Sequence, residues 1–181
     1  ITEAIEAYPA FCREKIQVIP QGFNFDGMSN LSERTKNPYP VFAYAGLFTS
    51  TRDPGRFLEY LSTQNHRKFK FIIFTKSFLR IEPFKAMLED KLEIRNYVPR
   101  DQLLEELCRM DFLVNFENKD NVQSPSKLID YALVGKPVLS IKSNEIDETV
   151  IEEFLAGDYT NQIVIRNIEQ YNIEIVTKQF L

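Results

Sequence analysis

The sequence predicts an α/β domain: a doubly wound, mainly parallel, Rossmann-like sheet with helices on both faces. Two observations lead there. From Val41 onward, strand-length segments alternate with segments of helical period five or six times. Several of those strand-length segments are apolar almost without a break, as strands covered on both faces are. Parallel strands joined by helices imply right-handed crossovers, and ligands in such sheets lie beyond the carboxyl ends of the strands, where strand order reverses.

The chain before that alternation is different. Thr2–Phe11 (TEAIEAYPAF) has helical composition interrupted at Pro9 and leads into a short strand at Lys15–Pro20 (KIQVIP), ending at Gln21–Gly22. Asn24–Pro40, rich in Asn, Ser, Gly and Pro, reads as a surface linker. Residues 1–40 are therefore expected to be an exit segment and linker, 41–167 the Rossmann-like domain, and 168–181 a C-terminal helix.

Within the domain, Val41–Leu47 (VFAYAGL) is an apolar run meeting a glycine, the pattern of a buried parallel strand. A polar loop, Thr49–Asp53, precedes a helix over Pro54–Ser62 with Phe57, Leu58 and Leu61 turned inward. Lys70–Thr75 (KFIIFT) is the second strand, followed by a weak helix at Pro83–Leu88. Leu92–Val98 alternates apolar and polar residues, which suits a strand at the sheet edge. Arg100–Met110 is a helix capped by Asp101 with Leu103, Leu104 and Leu107 as its stripe, and Asp111–Phe116 is the next strand. The polar loop Glu117–Gln123 leads to a helix from Ser124, then a strand at Pro137–Ile141, a helix at Ile146–Leu155, a short strand at Gln162–Ile165 and a closing helix at Ile168–Phe180.

Composition excludes several functions. Hydrophobic residues make up 44% of the 181, enough for a substantial core, and the net charge of −4 argues against a general nucleic-acid or membrane-surface binder. The two cysteines, Cys12 and Cys108, are far apart and form no CxxC pair, as expected of reduced thiols in a cytoplasmic protein. One histidine, His66, leaves little for a histidine metal site or catalytic triad, so no metal is expected. No apolar run reaches the roughly 20 residues that span a bilayer. Neither GxGxxG nor GxxxxGK[ST] occurs, so dinucleotide and P-loop chemistries are unlikely partners for this sheet; the turn after the first strand reads GLFTSTRD.

One stretch carries chemistry. Ser124–Val138 (SPSKLIDYALVGKPV) opens with a helix-capping serine and a proline suited to the first helical position, and stops at Gly135 with Pro137 just beyond. At 100° per residue, Leu128, Ile129, Ala132 and Leu133 fall on one side and Ser126, Lys127, Asp130 and Tyr131 on the other. Free N–H groups, two hydroxyls and a lysine at a helix start suit an anion, and a carboxylate one turn on suits sugar hydroxyls. The plainer alternative is a solvated polar face. Arg52, Lys76, Arg100, Lys127 and Lys142 all lie in or beside loops at the carboxyl ends of strands, a rim on which an acidic protein could hold a polyanion.

Four segments together resemble the C-terminal, donor-binding domain of the GT-B-fold glycosyltransferases, specifically the retaining group 1 (family 4). Val18–Asp26 (VIPQGFNFD) is similar to that family's VIPNGVD segment, and Ala45–Leu58 (AGLFTSTRDPGRFL) to its glycine turn with a downstream basic residue. Asn96–Leu104 with Met110–Asn115 is similar to the G-x-V … L … A-D-x-x-V stretch. The most specific likeness is PSKLIDYALVGKPVL, similar to the subgroup pattern PSKLLEYMAAGKPVI.

The resemblance implies roles for individual residues. Arg52 and Lys127 would hold and stabilise the donor diphosphate, with Ser124 and Ser126 completing the anion site. Asp130 would take the ribose, standing where the family has the second glutamate of E-x7-E, and Val98 and Arg100 would meet the base. The first glutamate of that motif falls on Val122; Glu117, Asn121 or Gln123 are the available substitutes. Leu47 stands where the family has an arginine. The implied activity is transfer of a hexose or amino-hexose from a nucleoside-diphosphate sugar to a polysaccharide or glycolipid acceptor, without a metal or other cofactor. The implied partners are the nucleotide sugar, a saccharide or lipid-linked acceptor and the chain's own N-terminal GT-B domain, at the inner face of the membrane. A nucleotide-sugar epimerase and a degenerate, non-catalytic GT-B domain are the alternatives.

Overall fold

The computed structural model describes residues 16–26, 37–117, 126–143 and 145–180, so the helix expected at Thr2–Phe11 lies outside the described residues. Contacts divide the chain into two units, Ile1–Gly27 with Arg166–Leu181, and Met28–Ile165.

The larger unit is the α/β domain. Its elements are β1 (Val41–Ala45), α1 (Gly55–Thr63), β2 (Lys70–Phe74), α2 (Lys85–Leu88), β3 (Leu92–Arg95), α3 (Arg100–Cys108), β4 (Phe112–Phe116), α4 (Lys127–Val134), β5 (Val138–Ile141) and α5 (Glu148–Ala156). All strand pairs are parallel, in the order β3-β2-β1-β4-β5. β3, the strand with the alternating pattern, is at an edge as its sequence requires. Strand order reverses between β1 and β4, and the loop after β1 and helix α4 after β4 flank that point.

Each face of the sheet has its own apolar layer. On one, Phe42, Tyr44, Phe71, Phe112, Phe116 and their neighbours meet Phe57, Leu58 and Leu61 of α1 and Ile151, Phe154 and Leu155 of α5. Aromatic rings dominate this layer; Phe42 stacks on both Phe71 and Phe112, at centroid distances of 4.8 and 4.5 Å. Ring pairs in such offset and edge arrangements add about 0.5–1.5 kcal/mol each beyond area burial. On the other face, Ala43, Ala45, Ile72, Phe74, Leu113 and Val138 meet Leu107 of α3 and Tyr131 of α4.

Several boundaries differ from expectation. Gln162–Ile165 is not a strand: only Ile163 N–H reaches β5, donating to the Val138 carbonyl at 3.0 Å, and Ile163 and Ile165 instead pack on the second apolar layer. Asp101 does not cap α3. Pro99, extended at ψ 151°, starts that helix, and Asp101 stands in its first turn, where a carboxylate favours the helix dipole. The weak helix expected at Pro83–Leu88 is a 3-10 turn, Glu82–Phe84, opened by Pro83 and continued by α2.

In the smaller unit, residues 16–22 form no strand. Phe23 alone bridges to Asn172, its N–H donating to Tyr171 and its carbonyl accepting from Ile173 at 2.7 and 2.9 Å. The expected closing helix is broken at Asn172 into a 3-10 turn (Ile168–Tyr171) and α6 (Ile173–Thr177). Asn172 is extended and its side chain accepts from the Glu174 N–H at 3.0 Å, the habit of an N-cap asparagine.

Candidate functional site

The site is built where β1 ends. β1 pairs with β4 only through Phe42 and Ala43, so the Ala45 N–H has no strand to receive it on that side. Tyr131, fully buried on α4, accepts it at 3.0 Å. That bond fixes how α4 is turned. Lys127, one turn earlier on the same side, is thereby carried inward with Tyr131, so two residues expected on the polar face point at the sheet, where Leu128 and Val134 also pack.

α4 begins at Lys127. Ser126 is its N-cap, in helical geometry and without a side-chain capping bond. Ser124, Gln123 and Pro125 lie outside the described residues. The other end follows expectation: Gly135 takes φ +68°, and its N–H reaches the carbonyls of Tyr131 and Ala132 at 3.1 Å.

The Lys127 Nζ is buried and, among the described residues, has no hydrogen-bond acceptor. It lies 4.2 Å from the centroid of the Tyr44 ring. Burial, and then the nearby Arg52 guanidinium, push its pKa well below the usual lysine range. Tyr44 is itself fully buried, stacked on Phe48 and edge-on to Phe116, with its hydroxyl donating to the Leu47 carbonyl at 3.0 Å. Burial raises the Tyr44 phenol to about 12, against the opposing pull of Arg52, which hydrogen-bonds to it. Arg52, presented by a tight turn in which Thr49 and Arg52 exchange backbone bonds, thus bears on both Tyr44 and Lys127. The close approach of the loop to the tyrosine explains Gly46. Its φ is +147°, and a Cβ there would stand 2.9 Å from the Tyr44 hydroxyl oxygen.

Beside Lys127 opens a largely apolar cavity of about 280 Å³, lined by Ala45, Leu47, Phe74, Tyr97, Val98 and Leu103, with Thr75 and Lys76 at its polar margin. Lys76 sits 4.5 Å over the exposed Tyr97 ring. Val98 and Lys127 line the same cavity. Arg100 and Asp130 are brought together, but with each other: the guanidinium makes two contacts of 2.8 Å, both to Asp130 Oδ1. Burial raises the Asp130 pKa, and the Arg100 contact opposes the rise.

The rim cations do not form one cluster. Lys142 lines a second cavity of about 570 Å³ with Glu117, Ser140, Glu145 and Asn161. Glu117 is held there by the Ser140 hydroxyl at 2.8 Å, which in turn accepts from Asn115 at 3.1 Å. Asn121, another candidate substitute for the absent glutamate, lies outside the described residues. Sequence reasoning missed Tyr44 and Tyr97. A tyrosine inside the apolar run VFAYAGL, two residues before the glycine, was the available signal for the first.

Among the described residues no helix is long and apolar enough to cross a membrane. No family model and no curated protein matches the sequence. Solved structures do match in fold. A glycosyltransferase from Rickettsia africae ESF-5 aligns at 14% identity over 93% of this chain and 56% of its own, with a TM-score of 0.57. Sucrose-phosphate synthase from Thermosynechococcus elongatus aligns at 14% identity over 94% of this chain and 54% of its own, with a TM-score of 0.64. Anabaena HepE, solved in complex with UDP and glucose, aligns at 12% identity over 93% of this chain and 56% of its own, with a TM-score of 0.57. The fold is the Rossmann-like α/β fold found in GT-B glycosyltransferases, and the chain spans about half the length of each of these structures.

Proposed function

We propose that this domain binds the donor substrate of a glycosyl-transfer reaction, a nucleoside-diphosphate sugar. The diphosphate lies at the start of α4, against Lys127 and Arg52, and the base occupies the apolar cavity between Val98, Tyr97 and Leu103. One observation carries this: Lys127 Nζ is buried beside a cavity at the sheet's switch point with no acceptor among the described residues. A folded chain that keeps an amine in that state gains nothing from it alone, whereas an anion supplies the missing acceptor. The fold shared with glycosyltransferases, one of them solved with UDP and glucose, supports the choice of anion.

In the reaction the bond between the sugar's anomeric carbon and the diphosphate oxygen breaks, and negative charge grows on the departing diphosphate. Arg52, Lys127 and the N–H groups opening α4 meet that charge as it develops, stabilising it where it forms. The hydroxyl of the acceptor, a saccharide or lipid-linked sugar held by a second GT-B domain, would form the new bond to the anomeric carbon and give its proton to the departing diphosphate, with retention of anomeric configuration. Asp130 can still take a ribose hydroxyl through Oδ2, since both Arg100 contacts fall on Oδ1.

A second reading, a domain that keeps the fold without the chemistry, is favoured by the same pair, because Asp130 already has a partner in Arg100. Calorimetric titration with UDP, GDP, ADP and dTDP, on wild type and Lys127→Ala, separates the two. Micromolar binding of one nucleotide, weakened about tenfold or more (about 1.4 kcal/mol) in the variant, is the expected result. Equal binding by both proteins would remove Lys127 from the site, and no binding by any nucleotide would favour the degenerate domain.

A further inference from the structure

Lys127 is an unusual choice for an anion site that stands ready for its ligand. Among the described residues, every group facing it either repels a proton or offers it too little. From β1 comes the face of Tyr44, whose hydroxyl is turned away to Leu47. From the loop after β1 comes Arg52, a like charge. On α4 itself, Tyr131 is committed to Ala45 and Asp130 to Arg100 of α3. The cavity beyond adds Lys76, after β2, over the Tyr97 ring after β3. The nearest carboxylate along the loop, Asp53, is taken by Arg80 at 2.6 Å. A single ring face does not replace the three hydrogen bonds an ammonium loses on burial.

We propose that anion binding at this site is coupled to proton uptake: Lys127 is a neutral amine in the empty domain and becomes an ammonium when the diphosphate arrives. The proposal rests on the functional reading above, and concerns how that site works. The proton comes from solvent and is bound by the Nζ lone pair; no other bond is made or broken. The diphosphate oxygens supply the acceptors and the opposite charge that the empty site lacks, and so outweigh Arg52's repulsion. The direction in which burial and Arg52 move the lysine is consistent with this. The consequence is a donor site whose affinity falls as pH rises, and that carries one less positive charge until it is occupied.

The test uses the full 181-residue chain with ¹⁵N-labelled lysine, and UDP and inorganic pyrophosphate as probes. Lys127 is assigned by its absence in Lys127→Arg, a variant that stays charged at all accessible pH. The neutral-amine signal is expected near pH 7 in the empty chain, replaced by an ammonium signal when UDP saturates it. Calorimetry at about pH 8, where the terminal phosphate of UDP is already ionised, is expected to show uptake of about one proton, read from the dependence of the binding heat on buffer. Affinity should then fall approaching tenfold per pH unit above neutrality, while Lys127→Arg binds with a flat profile. A charged Lys127 in the empty chain, with UDP still bound, overturns the coupling and leaves the functional reading standing. Proton uptake that persists in Lys127→Arg overturns it too. A neutral Lys127 in a chain that binds neither UDP nor pyrophosphate overturns both.

Discussion

Arg95 and Lys127 are both basic side chains placed over an aromatic ring, and the protein treats them in opposite ways. Arg95 lies 5.5 Å from the Phe74 centroid and is met by Glu93 at 2.6 Å and Glu106 at 2.7 Å, with Glu106 shared by Arg109 at 2.9 Å. The Arg95 hydrogen bond, ahead of the opposing effect of burial, holds the Glu93 carboxyl below its ordinary range. Lys127 lies closer to its ring, is more deeply buried, and among the described residues is given no carboxylate. The first arrangement neutralises charge in place and asks nothing of a ligand. The second leaves the folded chain with a cost that only something arriving from outside can remove. Unequal treatment of similar groups is a better guide to function here than charge itself, since cations are scattered along the whole rim.

The largest effect should come from the platform beneath Lys127. Gly46→Val forces a branched Cβ into a backbone at φ +147° and against the Tyr44 ring, 2.9 Å from its oxygen and 3.2 Å from Cζ. Strain and overpacking together should cost about 3 kcal/mol, seen as a lower urea midpoint with little change in slope. Because Tyr44 carries the lysine, nucleotide binding should be lost as well. Wild-type stability would mean that the turn re-forms without the tyrosine contact.

Next comes the lysine. Lys127→Met keeps the stem and removes the amine, and the empty domain should gain about 1–3 kcal/mol near neutral pH, the usual cost of a buried polar group without a partner. The pH dependence has a definite sign. The folded-state pKa lies below the unfolded lysine value, so in the window between them the unfolded chain binds more protons, and stability rises with pH. The charge-dependent part of the lysine's cost is fully present below the folded value and gone above about 10.5. Thermal melts of wild type and Lys127→Met should therefore converge as pH is raised from neutrality toward 10. Parallel pH profiles would show that Lys127 is charged throughout, as Arg95 is.

Arg100 and Asp130 lie between the two extremes, a part-buried pair in the candidate site with side chains 31% and 18% exposed. Asp130→Asn keeps the shape and removes the charge, and should cost about 1 kcal/mol by leaving the guanidinium less well met. If Asp130 is a structural partner of the Arg95 kind, nucleotide affinity will not change. If it also takes the ribose, affinity will drop along with stability, and both are read from a melt and a titration on one sample.

What could be read from the chain before its structure follows from range. The strands, their parallel pairing and the edge position of Leu92–Arg95 rest on local apolar runs and turn residues, and these are legible one segment at a time. Elements whose pattern is reused by packing were misread: Ile163 and Ile165 alternate like a strand, yet serve the apolar layer over α4. In the site, Lys127, Arg52 and Val98 could be named because they lie in loops and helix starts at the carboxyl edge. That Asp130 would meet Arg100, thirty residues away, depends on how α3 and α4 lie across the sheet, and nothing local encodes it. The turning of α4 was hidden for a like reason. Helical period assigned Tyr131 to the polar side; a single unpaired N–H at the end of β1 draws that side inward.

The smallest effect should belong to Arg95. Arg95→Met removes both ion pairs while leaving an apolar stem over Phe74. Its side chain is 34% exposed, and Glu93 and Glu106 are 37% and 23% exposed, so water and salt screen both pairs and each freed carboxylate can be solvated where it stands. The loss should be under about 1 kcal/mol, smaller still at high salt. Donor affinity should move little, because neither Arg95 nor its partners Glu93 and Glu106 line the cavity beside Lys127. The informative contrast is in direction: truncating a paired cation weakens the fold slightly, and truncating an unpaired one strengthens it while emptying the site. If Arg95→Met and Lys127→Met shift the melt the same way, the two cations are doing the same job, and a missing acceptor at Lys127 would no longer distinguish a binding site from a surface network.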